Sequence, residues 1–482
     1  MPDLITNPLI DDVTAQAMQL GLCFLDGPGR ARQVPFTLTP TPIARATLQQ
    51  LEVTAPLLGR LTEALAARHD LIEGVHAPLL IGDPFFAEML GSYSELHGAG
   101  DTPARLALLL QRSDFMVDEQ AGAQLVECNS IAAGMAPFGE QVQKLHHYIH
   151  TQWPSQFSRY SAGNIAGLLP NPATTGMATA IAAAARRVAS ELAHSGDPGF
   201  LMVVQEDEDN IFDQRLLEQQ LRQRGLRTYR RSFRQLHEQL STGPRDSLQL
   251  AGCGDIHVVY LRAGYQYQDY VATDLDTRRC CEALTRTRIF IERHRVAVNA
   301  TLAQQLATSK RMQLHVALGA GGLLEELGFD KRERADLEAI ITPMRTVDRH
   351  TLPALVEENS SPDWVLKNQG EGGGHCLFDR DIMRRLETME DEDYPAWVLM
   401  RRLRPTGRAE PTLVVRNGRA QQVGSLVSEI GMFTAHLDGR PLPVSGERSG
   451  YAGYLVRSKP PEVTEAGVHS GFGALDSLAL LE

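Results

Sequence analysis

The residues best suited to chemistry lie in the stretch Trp364-Val365-Leu366-Lys367-Asn368-Gln369-Gly370-Glu371-Gly372-Gly373-Gly374-His375-Cys376-Leu377-Phe378. An apolar run ends in a lysine, crosses four glycines and one carboxylate, and turns apolar again. The pattern reads as strand, glycine-rich loop 370–374, strand. Backbone without Cβ atoms can come close to a ligand and leave N–H groups free to hold an anion. Lys367 adds positive charge at the strand end, and Glu371 is a hard oxygen ligand of the kind Mg²⁺ accepts. Together they describe a flap over the phosphates of a magnesium nucleotide. The plainer alternative is a tight hairpin with a glycine bulge.

Three further groups of polar residues invite the same question. Arg112-Ser113-Asp114-Phe115-Met116 leads into a strand, Leu125 to Cys128, where Glu127 and Asn129 lie at i, i+2 and share one face. Two adjacent oxygen-bearing side chains at a strand end can hold Mg²⁺, or can be edge-strand polar residues. Glu208 with Asn210, and Arg262 with Tyr265, stand at the carboxyl ends of two other strands. Carboxylate, amide, guanidinium and phenol around one crevice suit a zwitterionic, amino-acid-like substrate; a charged surface loop and a structural arginine are the alternative. Arg457 and Lys459 share a strand face and offer two positive charges to an anion or to solvent. His146 and His150 are four residues apart, but without a third ligand they read as a solvated helix face.

The elements that must position these residues follow from apolar spacing. At 482 residues the chain needs two or three domains. Residues 1–111 read as helical, with leucines at helical spacing from Ala44 to Arg68, a break or kink at Pro56, and the pattern continuing over Ala104 to Gln111. Residues 157–174 read as a connecting loop, Met177 to Ala193 as a helix, and Ser195 to Gly199 as a boundary. Strands at Phe200–Val204, Leu226–Arg231 and Ile256–Leu261 alternate with helices at Ile211–Gln223 and around Leu236, which implies a parallel sheet. Ligands of such sheets sit outside the carboxyl ends of the strands. A helix near Thr301 to Leu314 carries Lys310, the glycine-bearing stretch Gly319 to Gly322 follows, and Leu323 to Ile341 is helical again. Neither G-x-G-x-x-G nor G-K-[ST] fits there, so a nucleotide would be bound by a fold other than Rossmann or P-loop. After the flap come a helix (Asp379 to Glu387), a strand (Ala396 to Met400) ending in Arg401 and Arg402, strands reaching Glu429, and Tyr454 to Lys459 before a small-residue loop at 465–471.

Composition narrows the partners. A formal charge of −12 argues against nucleic acid, and 43% hydrophobic with 22% charged residues is a globular balance. The six cysteines show no C-x-x-C spacing and are expected as free thiols. No signal-peptide core and no run of apolar residues long enough to span a bilayer is present, so a soluble, cytoplasmic protein is expected.

Six motifs then resemble, in order and spacing, the eukaryotic-type glutathione synthetases, which are ATP-grasp ligases. They are Arg112 to Met116, Glu127-x-Asn129, Asn210 to Arg215, Arg262-x-Gly264-Tyr265, Lys367-x-Gln369-x-Glu371-Gly372-Gly373-Gly374 and Ser428 to Gly431. The resemblance implies an α/β ATP-grasp fold with a helical N-terminal region plus the first part of the ATP-grasp core in 1–196, an inserted parallel-sheet substrate-binding domain (197–297), and the ATP-grasp core and lid in 298–482. It implies that ATP phosphorylates the cysteinyl carboxylate of γ-glutamylcysteine and that glycine attacks the acyl phosphate. Carried over residue by residue, Glu127, Asn129 and Glu371 would hold Mg²⁺, two ions per site. Lys310, Lys367, Gly372, Gly373, Gly374, Glu429 and Lys459 would hold ATP, with Met400, Arg401, Arg402 and Leu403 around the adenine. Arg112, Gly134, Glu208, Asn210, Gln214, Arg262, Tyr265, Arg457, Val468 and His469 would bind dipeptide and acceptor, with Arg112 and Arg457 catalytic. The family is typically a homodimer. The sequence departs from it at Ala132-Ala133-Gly134, where hydroxyls are usual, at Arg401-Arg402, where Glu-Lys is usual, and at Val468-His469-Ser470, where Val-Ala-Ala is usual. These departures keep open a different acceptor or donor, and a binding protein that has lost ligation is the third possibility.

Overall fold

The apolar run Leu106 to Leu110 and the polar residues after it form one strand, Leu106–Asp118 (β1), in a computed structural model of the chain. The structure describes residues 7–98, 104–161, 165–276, 280–370, 375–408, 412–444, 449–463, 467–468 and 472–481. The helical expectation for Ala104 to Gln111 is thereby corrected. An unbroken apolar run carries no period, and here Leu108, Leu109 and Leu110 are all fully buried, so the strand is covered on both faces.

The other site-bearing elements, in chain order, are the strands Gly122–Asn129 (β2), Gly199–Val203 (β3), Arg227–Arg231 (β4), Val258–Leu261 (β5), Ala297–Asn299 (β6), Met344–Thr346 (β7), Trp364–Asn368 (β8), Cys376–Phe378 (β9), Trp397–Arg401 (β10), Val427–Leu437 (β11), Tyr451–Lys459 (β12) and Ala474–Asp476 (β13). Among the described residues thirteen strands make one sheet. Its parallel run is β4-β3-β5-β6-β1, and its antiparallel run continues from β1 through β11, β12 and β13. β1 joins the two. It pairs with β11 from Leu108 to Met116, with β6 at Leu106 and Ala107, and with β2 from Arg112 onward. A second, four-stranded antiparallel sheet has the order β7-β10-β8-β9.

Helices lock these sheets. Arg45–Ala66 (α1) runs through Pro56 as one helix. Ala136–Gln152 (α2) begins where Asp213, on Ile211–Gln223 (α4), accepts from the N–H groups of Met135 and Phe138. The alanine-rich Ala173–Glu191 (α3) lies so close to β12 that a Cβ on Gly453 (φ 97°) would stand 2.6 Å from the Ala173 backbone. Only glycine fits that approach. The single helix expected at Thr301 to Leu314 is two, Leu302–Ala307 and Lys310–Glu326 (α6 for the second, α5 for the first). The hydroxyl of Ser309 accepts from Met312 N–H and starts α6, which continues through Gly319 to Gly322. The loop expected over 157–174 contains part of a short helix, Pro154–Tyr160, and a strand, Ile165–Leu168.

His146 is a second correction: it is fully buried in α2 rather than solvated. Its Nε2 donates to Thr37 O and its Nδ1 accepts from Ser477 Oγ, both at 2.7 Å. It is one of several rings kept neutral by burial. His76 and His436, both 0% exposed, are pushed from 6.5 down to about 4. Because the folded rings bind protons less readily than the unfolded ones, stability is full above pH 6.5 and is lost as pH falls toward 4. Each ring is expected to cost roughly 2 kcal/mol at pH 5 relative to pH 8. Urea unfolding of wild type and His436→Phe at both pH values checks this, the variant showing the shallower dependence.

Candidate functional site

The two sheets face a common cleft of about 950 Å³. From the large sheet come Arg112 (β1), Glu127 and Asn129 (β2), Glu429 (β11), and Arg457 and Lys459 (β12). From the small sheet come Lys367 (β8), Phe378 (β9), and Met400 to Leu403 at the end of β10. A third wall is built where β3 and β5 end, from Glu208, Asn210, Arg262 and Tyr265. Gly134 and Val468 also line the space. Two expected residues stand just outside it. Gln214 is buried behind Glu208 and donates to its Oε2 at 2.5 Å. Lys310, the first residue of α6, donates to Gly370 O at 2.7 Å and lies 3.9 Å from Glu127. Glu371, Gly372, Gly373, Gly374, His469 and Ser470 lie outside the described residues.

The floor is organised by a residue to which the sequence reading gave no role. Asp114 is fully buried, two residues from Arg112 on the same face of β1. It accepts from Arg112 Nε at 2.6 Å and Nη2 at 2.8 Å, from Arg457 Nη2 at 3.2 Å, and from Asn129 Nδ2 at 3.1 Å. Arg457 also pairs with Glu429. Gly431 makes room for this cluster: a Cβ there would lie 2.7 Å from both Arg112 Cδ and Asp114 Oδ1. The i, i+2 spacing of Arg112 and Asp114 was the available signal, since a buried guanidinium needs an anion on its own face.

Charge is distributed unevenly. Burial pushes the Glu127 carboxyl up, but Lys310, Lys367, Arg112 and Arg457 outweigh it and hold it down, at about 2. Burial moves Glu429 the other way, above the ordinary carboxylate range, with Arg457 opposing. The site therefore has a firmly ionised Glu127 ringed by cations. Asn129 commits its nitrogen to Asp114, so its oxygen is the end of the amide available to a cation. One ionised carboxylate and one amide oxygen beside these four cations fit a Mg²⁺ that takes its remaining ligands from phosphates and water. Next to them Met116, Val126, Val365, Phe378, Met400 and Val427 give an apolar slot of the kind a purine occupies.

On the third wall Glu208 accepts from Asn210 N–H at 3.1 Å and from Gln214. Arg262 Nη1 donates to Ala132 O at 3.0 Å. Among the described residues its Nε and the Oδ1 of Asn210 are buried without a hydrogen-bond partner, as expected of groups that suit a polar ligand. The departure at Gly134 has a geometric consequence. A Cβ there would stand 1.8 Å from Arg262 Nη1, so the guanidinium lies flat across space that any side chain would fill. Gly134→Ala is expected to move Arg262 and to raise KM for the substrate on this wall roughly 10- to 100-fold, the range of a charged hydrogen bond. The thermal midpoint should stay within a few degrees; steady-state kinetics and a melting curve check both parts.

The family model for eukaryotic glutathione synthase, ATP binding domain, matches residues 6–480. The glutathione synthetase of Mus musculus is 28% identical over 454 residues, covering 92% of this chain and 89% of that protein. The chloroplastic glutathione synthetase of Arabidopsis thaliana is 26% identical, covering 93% of this chain and 78% of that protein. The solved structure of a glutathione synthetase like-effector from Globodera pallida, in apoform, has the same fold, with a TM-score of 0.72 at 19% identity over 100% of this chain and 98% of that one. With the family model matched over almost the whole length, the chain belongs to the eukaryotic glutathione synthase family of ATP-dependent ligases.

Proposed function

We propose that the protein joins γ-glutamylcysteine to glycine, consuming ATP and forming glutathione, ADP and phosphate. The observation that carries this reading is the ladder Arg112–Asp114–Arg457 across β1, β11 and β12, which puts two guanidiniums beside the ionised Glu127, between the apolar slot and the zwitterion wall. In this reading the slot takes adenine, and Lys367, Lys459 and the 370–374 loop take the phosphates. The third wall holds the glutamyl end of the dipeptide and aims its cysteinyl carboxylate at the cations of the floor.

The carboxylate oxygen attacks the γ-phosphorus as ADP leaves. The acceptor amine then attacks the acyl carbon, and phosphate departs with the C–O electron pair while the amine gives up a proton. Arg112 and Arg457 orient the carboxylate and offset the negative charge that builds on the transferring oxygens. Glu127, Asn129 and Glu371 would hold Mg²⁺, two ions per site, which when bound neutralises phosphate charge. An acyl phosphate must be kept from water, and in this reading the small-residue segments 370–374 and 465–471 would serve to exclude it.

The segment Val468-His469-Ser470 favours one variant of this reading, a different acceptor amino acid or donor dipeptide with the same mechanism. The test is ADP release with Mg²⁺–ATP, γ-glutamylcysteine and a panel of amino acids, with product masses read in parallel. Release that needs both dipeptide and glycine, with the mass of glutathione, supports the proposal. Release with another acceptor supports the variant, and no release with any pair overturns both.

A further inference from the structure

The third wall contains a chain of hydrogen bonds whose direction is set from outside the cleft. Asp269 Oδ2 accepts from the backbone N–H groups of Gly264 at 2.7 Å, Tyr265 at 3.1 Å and Gln266 at 3.4 Å. Its Oδ1 accepts from the side-chain nitrogens of Gln205 at 2.8 Å and Gln266 at 3.4 Å. With that many donors converging on it, the carboxylate is an acceptor only. The end of Gln205 that faces it must be the NH₂, because a carbonyl oxygen there would meet an anion. The second hydrogen of the same NH₂ goes to the Tyr265 hydroxyl at 3.1 Å. A phenol that accepts from one side sends its own proton to another. Among the described residues no protein group takes that proton, and Tyr265 lines the cleft beside Arg262.

We infer that Asp269 and Gln205 are positioning residues that fix Tyr265 as a hydrogen-bond donor into the cleft, so that this part of the wall selects a carboxylate and rejects an ammonium or amide N–H. This rests on the proposed γ-glutamyl dipeptide ligase reading, and in that substrate the group is the glutamyl α-carboxylate. Arg262 supplies its counter-charge. Glu208 and the Oδ1 of Asn210, on the same wall, are acceptors and suit the α-ammonium. The two ends of one zwitterion are thus sorted by polarity. A tyrosine hydroxyl alone would not sort them, since it can turn to donate or accept.

The test reads γ-glutamylcysteine binding by calorimetry together with KM and kcat. Gln205→Glu places an acceptor against Tyr265 and turns its proton away from the cleft. It is expected to raise Kd and KM about 10- to 100-fold, as Tyr265→Phe does, with kcat within about threefold. Gln205→Met removes the donor that holds the hydroxyl without adding an acceptor, so it should raise KM by less than Gln205→Glu does, and an equal or larger rise overturns the inference. The Gln205→Glu/Tyr265→Phe double variant should be no worse than either single one, because both act through the same proton. Additive losses, or a harmless Gln205→Glu, overturn the inference. If Gln205→Glu fails to fold, Asp269→Asn with Tyr265→Phe repeats the cycle through the other positioning residue. A wild-type protein that binds no γ-glutamylcysteine overturns the donor assignment and the inference with it, a result distinct from binding that is insensitive to these variants.

Discussion

Glu127→Gln is expected to reduce kcat by roughly 10²- to 10³-fold, the scale on which enzymes lose a preorganised charge at the reacting centre. The variant should still bind ATP. Glu127 is surrounded by Lys310, Lys367, Arg112 and Arg457, and removing its charge leaves the site more positive, which favours a polyanion. What is lost is the ionised oxygen that fits Mg²⁺, so the Mg²⁺ concentration for half-maximal activity should rise while Kd for ATP does not. Kinetics across a Mg²⁺ titration, with ATP binding measured separately, tells the two apart. A variant within tenfold of wild type would take Glu127 out of the reaction. Stability adds a second readout. The folded carboxyl is held at about 2 against an ordinary 4.5, so its contribution is present above pH 4.5 and is lost as pH falls toward 2. The stability gap between wild type and variant should therefore narrow on acidification.

Why Glu127 could be found from sequence and other residues could not follows from how each is placed. Glu127 and Asn129 announce themselves because a strand puts i and i+2 on one face, so two donors two apart must converge whatever the fold. Lys367 and the glycines after it are similarly local. Of the parallel strands, β3, β4 and β5 were recoverable because each is short and alternates with helices that have their own period, whereas the three-residue β6 carries too little pattern to be read. β1 was not recoverable either, since Leu106 to Leu110 is equally compatible with a buried helix until its neighbours β6 and β11 are known. His146 misled for a related reason. A polar ring on an otherwise amphipathic helix looks solvated unless the chain brings Thr37 and Ser477, more than a hundred and more than three hundred residues away, to both its nitrogens. Lys310 reaches Gly370 only because Ser309 starts a new helix at that point. Gln205 and Asp269 are 64 residues apart, and their joint hold on Tyr265 exists only in the fold. In short, chemistry written within one element could be read, while chemistry assembled between strands could not.

Asp114 belongs to the second kind, and its replacement is expected to have the largest effect on stability of any single change in the site. Asp114→Asn keeps the shape but removes the charge that Arg112 and Arg457 share at 2.6 and 3.2 Å. Two guanidiniums are then left on the cleft floor with Glu429, which burial already pushes toward its neutral form, and with Glu127, which Lys310 and Lys367 also draw on. Breaking a buried pair by removing one partner costs about 3–5 kcal/mol, because the surviving charge keeps its desolvation penalty. Urea unfolding should show that loss, and kcat should fall with it, since the amide no longer holds Arg112 by two bonds or orients Asn129. Arg112→Met alone should be less destabilising than Asp114→Asn, because Arg457 remains to compensate Asp114. A destabilisation for Asp114→Asn below about 1 kcal/mol would mean that water, not Asp114, carries the charge of the two arginines. The same comparison separates holding the fold from holding the substrate: Arg112→Met should lose activity out of proportion to its stability, and Asp114→Asn should lose both.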